Sequence, residues 1–442
     1  MTHQTAELQA DLGPVTGLER ISSIDTIRGA ALFGILLMNI VAFGLPSGYS
    51  NPMNYGGAEG LNLAAWAINN LLFEGTMRGL FSMLFGAGIV LMTSRAEARG
   101  GGIEVADIFY RRTLWLFAFG VIHAWLFLWL GDILYFYGVA GLFLFTFRKV
   151  NPRTLIVLGV LVLASVIPKY AYEYSQVQIA MADAQAAQLV LDDGGELDDE
   201  QQEAIDGWQE ILEDHNPPAK KLQKSIDGVH GNYFEIIASH ASFIIWMQST
   251  GLYLYFFWDT VGMMLIGMGL LKLGVLSGAR SGRFYLTMMI VGYAIGISVN
   301  AYETRLLIDN NFDVIAFAKA SLTYDLGRLP VTFGHIGLLT LICRMRWLNW
   351  LTSRLAAVGR MALTNYIAHS VVCAFVFTGI GFSMYGELER HQLYYVVGAI
   401  WLAQLMISPI WLQYFRFGPL EWLWRSLTYK QRQPMRRETV TD

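Results

Sequence analysis

His123 and Asp132 lie nine residues apart in the run FGVIHAWLFLWLGD, where Gly131 turns the chain into the next apolar stretch. An imidazole beside a carboxylate is the arrangement that general-base chemistry needs. The carboxylate fixes the tautomer and stabilises the imidazolium. The competing readings are a histidine that only packs and an aspartate that only caps the helix opening at Ile133. The apolar surroundings weigh for chemistry, because an idle polar group in a membrane is costly. His123 and Asp132 are therefore the candidate catalytic pair.

Other polar residues recur at helical spacing inside apolar runs. Asp25 and Arg28 are three apart, and Asn39 follows Arg28 by eleven residues, close to three turns, so the three share one stripe of ISSIDTIRGAALFGILLMNI. Glu74 and Arg78 are four apart, Arg328 and His335 seven, Asn365 and His369 four, and Gln404 and Ser408 four. Each pair is either glue between helices, worth about 1 kcal/mol, or part of a polar interior. We take Glu74, Arg78, Asn365 and Gln404 as candidate substrate contacts. Asp25, Arg28, Asn39, Arg328 and His335 are candidates for a donor site or channel. No metal site is expected: the chain has no HExxH spacing, and neither a P-loop nor a dinucleotide fingerprint is present. Cys343 and Cys373, in or beside apolar runs, read as small hydrophobes.

The elements that must position these residues are membrane helices. The chain has 442 residues, 54% hydrophobic and 14% aromatic, and only 15% are charged, against about a quarter in soluble domains. Apolar runs of bilayer-spanning length recur along it. The expected fold is an all-α polytopic membrane protein with about ten transmembrane helices and a small helical extramembrane insertion. A polar tail (1–20) precedes a first transmembrane bundle (21–174). An acidic helical insertion (175–230) follows, then a second bundle (231–412) and a basic, Trp-rich tail (413–442). Leu61 to Phe73 is apolar but too short to span. From Asp183 to Asp214 there are twelve acidic residues and no Lys or Arg, with breaks expected at Asp193–Gly195 and Pro217–Pro218.

Lys and Arg cluster in alternate short loops: Arg20; Arg95, Arg99, Arg111 and Arg112; Arg148, Lys149 and Arg153; Arg280 and Arg283; Arg344, Arg346 and Arg354; and the final tail. By the positive-inside rule both termini are cytoplasmic and the acidic insertion lies on the far side. The expected location is a bacterial cytoplasmic (inner) membrane. The expected partners are membrane lipids and no nucleic acid, with a homodimer left open.

Several runs carry a resemblance: RGLFSMLFGAG, RRTLWLFAFGVIHAWLFLWLGDILYFYG, GRMALTNYIAHS and PIWLQYFRFGPLEWLWRSLTY. With the opening stretch they resemble the YeiB-like family of bacterial integral membrane proteins over almost the whole chain. More distantly, Asp25, Arg28, Gly29 and Asn39 resemble the start of transmembrane acyltransferases related to heparan-glucosaminide acetyltransferase. That resemblance implies acyl transfer from a cytoplasmic acyl-CoA, such as acetyl-CoA, to an extracytoplasmic sugar or lipid-borne acceptor. The chain departs from that pattern in GLPSGYSNPMNYGG, which has no histidine where that family places its catalytic one. His123, in the third apolar run, is the expected substitute.

Two main readings follow. In the first, an integral membrane acyltransferase, His123 is base or acyl carrier, Asp132 orients it, and basic loops attract the phosphates of acyl-CoA. In the second, a transporter or small-molecule channel, the polar stripes form a path, with Asp259 and His335 as proton-linked groups. A structural or sensory role for the acidic insertion is a third.

Overall fold

The computed structural model describes residues 21–49 and 51–437. The polar tail with Arg20, Ser50 and residues 438–442 lie outside them. Among the described residues the regular structure is helical, with one isolated β-bridge, Phe415 to Arg436. The α-helices are α1 (Ser22–Gly44), α2 (Gly60–Leu72), α3 (Thr76–Ala98), α4 (Glu104–Leu126), α5 (Leu134–Leu144), α6 (Pro152–Ala164), α7 (Ile167–Asp192), α8 (Asp199–His215) and α9 (Ala219–His230). They continue as α10 (Tyr233–Gln248), α11 (Phe257–Lys272), α12 (Gly282–Asp309), α13 (Val314–Ala320), α14 (Tyr324–Arg344), α15 (Asn349–Arg360), α16 (Ala362–Phe377), α17 (Arg390–Tyr414) and α18 (Pro419–Tyr429).

Among the described residues, seven helices or continuous helix runs are long and apolar enough to cross a membrane, and eight if the bent pair α15–α16 counts as one span. About ten spans were expected. The expected third and fourth spans fall on α4, whose first turns carry Glu104, Asp107, Arg111 and Arg112, and on α5. At eleven residues α5 covers about 16 Å, roughly half of a hydrocarbon core. The expected ninth span, from about Ala362 to Tyr385, falls on α16, which ends at Phe377 and is bent by 82° from α15 just before it.

The bundle is closed by small residues rather than by a difference in polarity between core and surroundings, as lipid-embedded packing requires. A methyl group on Gly29 would land on the Leu355 carbonyl oxygen, and one on Gly359 would land on the Asp25 carbonyl oxygen. So α1 and α15 cross backbone to backbone. Gly86 and Gly267 do the same for α3 and α11. Elsewhere the outer faces stay apolar: Leu286, Ile290 and Ile295 on α12 and Leu402, Met406 and Ile410 on α17 are exposed, as a surface solvated by acyl chains must be.

The acidic stretch forms two antiparallel helices. α7 runs unbroken through residue 175 to Asp192, turns at 193–195, and packs along α8. Asp198 and Gln201 cap α8 reciprocally. The Trp-rich final stretch folds as α18, which lies across α4 and α16.

Candidate functional site

α4 and α5 form a tight hairpin that brings His123 and Asp132 together. Gly120 allows the approach, since a methyl group there would meet the Tyr135 backbone nitrogen and, at 2.7 Å, the Asp132 carboxylate. The connecting turn passes through Leu128 in a left-handed conformation (φ 58°). Asp132 then uses both oxygens. Its Oδ1 lies 2.7 Å from His123 Nδ1, and its Oδ2 accepts the Tyr135 N–H at 2.7 Å, capping α5. One carboxylate thus both faces His123 and caps α5.

The other face of the imidazole meets α16. His123 Nε2 is 2.8 Å from Ser370 Oγ, so Asp132, His123 and Ser370 form one hydrogen-bonded chain. All three are buried, at 4%, 0% and 1% exposure. An ionised carboxylate only accepts, so Nδ1 carries the proton and Nε2 presents its lone pair to the Ser370 hydroxyl. Tyr366, one turn before Ser370, packs edge-on against His123 with ring centroids 5.0 Å apart. Its hydroxyl accepts from Trp129 Nε1 (3.2 Å) and the Ile133 N–H (3.3 Å), pinning the α4–α5 turn.

Tyr366 also lines a cavity of about 270 Å³, which Asp132, His123 and Ser370 do not line. Its inner end is lined by Leu134, Tyr137 and Tyr366, and its walls by apolar groups of α1, α3 and α4. Its mouth holds Arg28, Arg95, Arg112, Arg360 and Arg425, drawn from five helices or their ends. Arg28 donates to Asp25 at 2.9 Å, as their spacing implies. The Arg112 guanidinium stacks 3.7 Å from the Trp424 ring. Glu421 lies at the same mouth. It caps the N-terminus of α16, accepting from Leu363 N (2.6 Å), Thr364 N (3.1 Å) and Thr364 Oγ1 (2.6 Å). That terminus has no capping side chain of its own. Asn39 is half-buried farther along α1 and does not line the cavity.

The remaining candidates fall into two other groups. Asn365 donates to the Val358 carbonyl and to Ser408, each at 3.1 Å. Gln404 accepts from His369 Nε2 and donates to the Asn365 carbonyl, each at 3.0 Å. This buried ladder locks α16, which carries Ser370, to α17.

The second group is ionic. Arg328 pairs with Asp259 at 2.5 Å and with Asp325. Arg78 faces Asp259 at 3.5 Å, and Glu74 accepts from the hydroxyls of Tyr49 (3.2 Å) and Tyr324 (3.4 Å). The i,i+4 spacing suggested a Glu74–Arg78 pair, but each turns to residues of other elements. His335 donates from Nε2 to the Leu72 carbonyl at 2.7 Å and accepts at Nδ1 from the Tyr293 hydroxyl at 2.8 Å. Arg328 and His335 therefore stand apart from the arginine-lined cavity that holds Asp25 and Arg28. Ser370 and the arginines beyond Arg28 were not singled out as site residues. Ser370 stands in GRMALTNYIAHS directly after His369, and that run was the only available signal.

The family described as protein of unknown function DUF418 matches residues 270–431. The chain is 31% identical over 437 residues to the "Uncharacterized protein YeiB" of Escherichia coli (strain K12), covering 94% of this chain and 98% of that one. It is 29% identical over 459 residues to the "Uncharacterized protein YxaH" of Bacillus subtilis (strain 168), covering 97% and 99%. A 39.9 kDa protein encoded beside an amylase in Bacillus acidopullulyticus is 25% identical over 426 residues, covering 96% and 98%. No solved structure matches the chain.

Proposed function

The chain belongs to the YeiB-like DUF418 family of bacterial membrane proteins, and from that premise we propose that it is an integral membrane acyltransferase. The donor is an acyl-CoA and the acceptor a sugar or lipid hydroxyl. One observation carries the reading: the buried Asp132–His123 pair packs against Tyr366, and Tyr366 lines a cavity that also gathers five arginines. Phosphate esters are the ligands that planar, bidentate guanidinium groups suit best. His123, held in one tautomer by Asp132, accepts the proton of an attacking hydroxyl and returns it to the leaving thiolate. Arg28 and Arg112 hold the nucleotide end of the donor.

From Arg112 to His123 is eleven residues of α4, about 16 Å along the axis. An extended acyl-CoA arm bridges such a span. The arginine mouth is then the cytoplasmic side of an inner membrane, in line with the basic loops, and the acceptor comes from the opposite face. In a transport reading the Arg78–Asp259–Arg328 cluster would line a path. Its charges are instead paired across three helices, which suits a structural tie.

Calorimetry of acetyl-CoA with protein in nanodiscs tests the reading. Saturable binding is expected, weakened at least about tenfold by Arg112→Ala, weakened by added salt, and kept by His123→Ala. Release of free CoA thiol is expected from wild type and lost in His123→Ala. Folded protein that binds no acyl-CoA of any chain length overturns the proposal.

A further inference from the structure

We propose that Ser370 is the nucleophile that carries the acyl group between donor and acceptor, so that transfer runs through a covalent acyl-serine. This rests on the acyl-transfer reading above and adds to it an attacking atom and a two-step order.

The geometry distinguishes Ser370 from a serine that merely packs. Hydroxyls in these helices habitually give their proton to the carbonyl one turn back. Ser82 donates to the Arg78 carbonyl at 2.9 Å, Thr93 to Ile89 at 2.9 Å and Thr332 to Arg328 at 2.9 Å. That bond satisfies the hydroxyl without help from another helix. Ser370 makes no such bond among the described residues. Its one partner is His123 Nε2 at 2.8 Å, 247 residues away in the chain. The Asp132 carboxylate holds the Nδ1 proton, so Nε2 is a pure acceptor and the Ser370 O–H points along the line to it. This is how a serine is activated: the base sits within hydrogen-bond reach and a third group orients the base.

The step balances. Ser370 Oγ attacks the thioester carbonyl carbon as its proton passes to His123 Nε2. The C–S bond breaks, the imidazolium gives that proton to the departing CoA thiolate, and an O-acyl ester remains on Ser370. An acceptor hydroxyl then attacks the ester carbonyl, its proton moves to His123, and the proton returns to Ser370 Oγ as the ester bond breaks. Burial supports this order, because exclusion of water keeps the ester from hydrolysis until an acceptor arrives. Tyr366, one turn before Ser370, lines the cavity and Ser370 does not, so in this proposal the thioester passes the Tyr366 ring to reach the hydroxyl.

The test uses full-length protein in nanodiscs with radiolabelled acetyl-CoA and no acceptor, followed by acid quench and peptide mapping. The expected result is one acetyl group on the Ser370 peptide of wild type and none on Ser370→Ala. Ser370→Ala should bind acetyl-CoA within about twofold of wild type, which reports an intact fold, while thiol release drops by roughly 10³-fold or more. Ser370→Cys should take up an acetyl group that neutral hydroxylamine removes, the mark of a thioester. Thiol release by Ser370→Ala near the wild-type rate overturns this inference and leaves the acyltransferase reading standing. So does label found on His123. A wild type that neither binds nor consumes any acyl-CoA sinks both.

Discussion

Replacing Asp132 by asparagine probes the centre most sharply, because the carboxylate does two jobs with two oxygens. Oδ1 accepts from His123 Nδ1 and Oδ2 accepts from the Tyr135 N–H, each at 2.7 Å. An amide has one oxygen and one NH2, so it can serve only one of these as an acceptor. If the oxygen stays with His123, the NH2 faces the Tyr135 N–H, and a buried donor is left unpaired at a cost of about 1–3 kcal/mol. If the oxygen turns to Tyr135, the NH2 donates to Nδ1, and the ring proton moves to Nε2. That second arrangement satisfies both the Tyr135 N–H and Nδ1, and the displaced Ser370 O–H is free to turn to the carbonyl one turn back, as other hydroxyls in these helices do, so it should prevail. His123 then points an N–H at Ser370 and cannot take its proton. The expected outcome is a folded protein with stability within about 1 kcal/mol of wild type and a rate of CoA release lowered by about 10⁴-fold, the size of effect a reversed tautomer produces in such chains. Nitrogen NMR of histidine-labelled protein reads the tautomer independently of activity. Asp132→Asn protein that keeps the Nδ1-protonated ring, or that turns over at a tenth of the wild-type rate or faster, would refute the reasoning.

Glu421→Ala removes three hydrogen bonds from the N-terminus of α16. Thermal unfolding in detergent should show a loss of roughly 1–3 kcal/mol, with Glu421→Gln recovering part of it. Gly29→Ala forces a methyl against the Leu355 carbonyl, whereas Gly34→Ala meets only the flexible Met77 side chain. The first should cost about 1–3 kcal/mol and the second clearly less, and equal melting temperatures would contradict this packing argument. Asp259→Leu strips Arg78 and the buried Arg328 of their shared carboxylate. A loss of about 3–5 kcal/mol is expected, and an unchanged unfolding midpoint would show that the cluster contributes little.

The contacts legible in the sequence are those made within one helix or one hairpin. Asp25 and Arg28 meet because three residues return to the same helical face. His123 and Asp132 meet because nine residues with a glycine turn fold back on themselves. The breaks of the acidic stretch were legible from Gly and Pro. What could not be read was tertiary. Ser370 reaches His123 only because α16 packs against the α4–α5 hairpin. The arginine mouth is assembled from five separate places in the chain. Glu74 and Arg78 had the spacing to pair, yet Asp259 and the Tyr49 and Tyr324 hydroxyls drew them apart. A periodicity argument reports which face a residue shares, never which neighbour wins it.

The position of α18 has a consequence for how the protein is made. Its Thr428 carbonyl accepts from Arg111 at 2.7 Å, Trp424 donates to the Arg112 carbonyl at 2.9 Å, and Glu421 holds the start of α16. The helix bearing His123 and the helix bearing Ser370 are thus tied together by residues 419–429, which leave the ribosome after both of them. A nascent chain, or one cut short by a premature stop, can insert its apolar segments and still lack the strut that ties the helix of His123 to that of Ser370. His123 and Ser370 therefore come into register only once α18 has been made. A product truncated before Glu421 should enter the membrane, stay inactive, and be cleared by membrane proteases faster than the full chain.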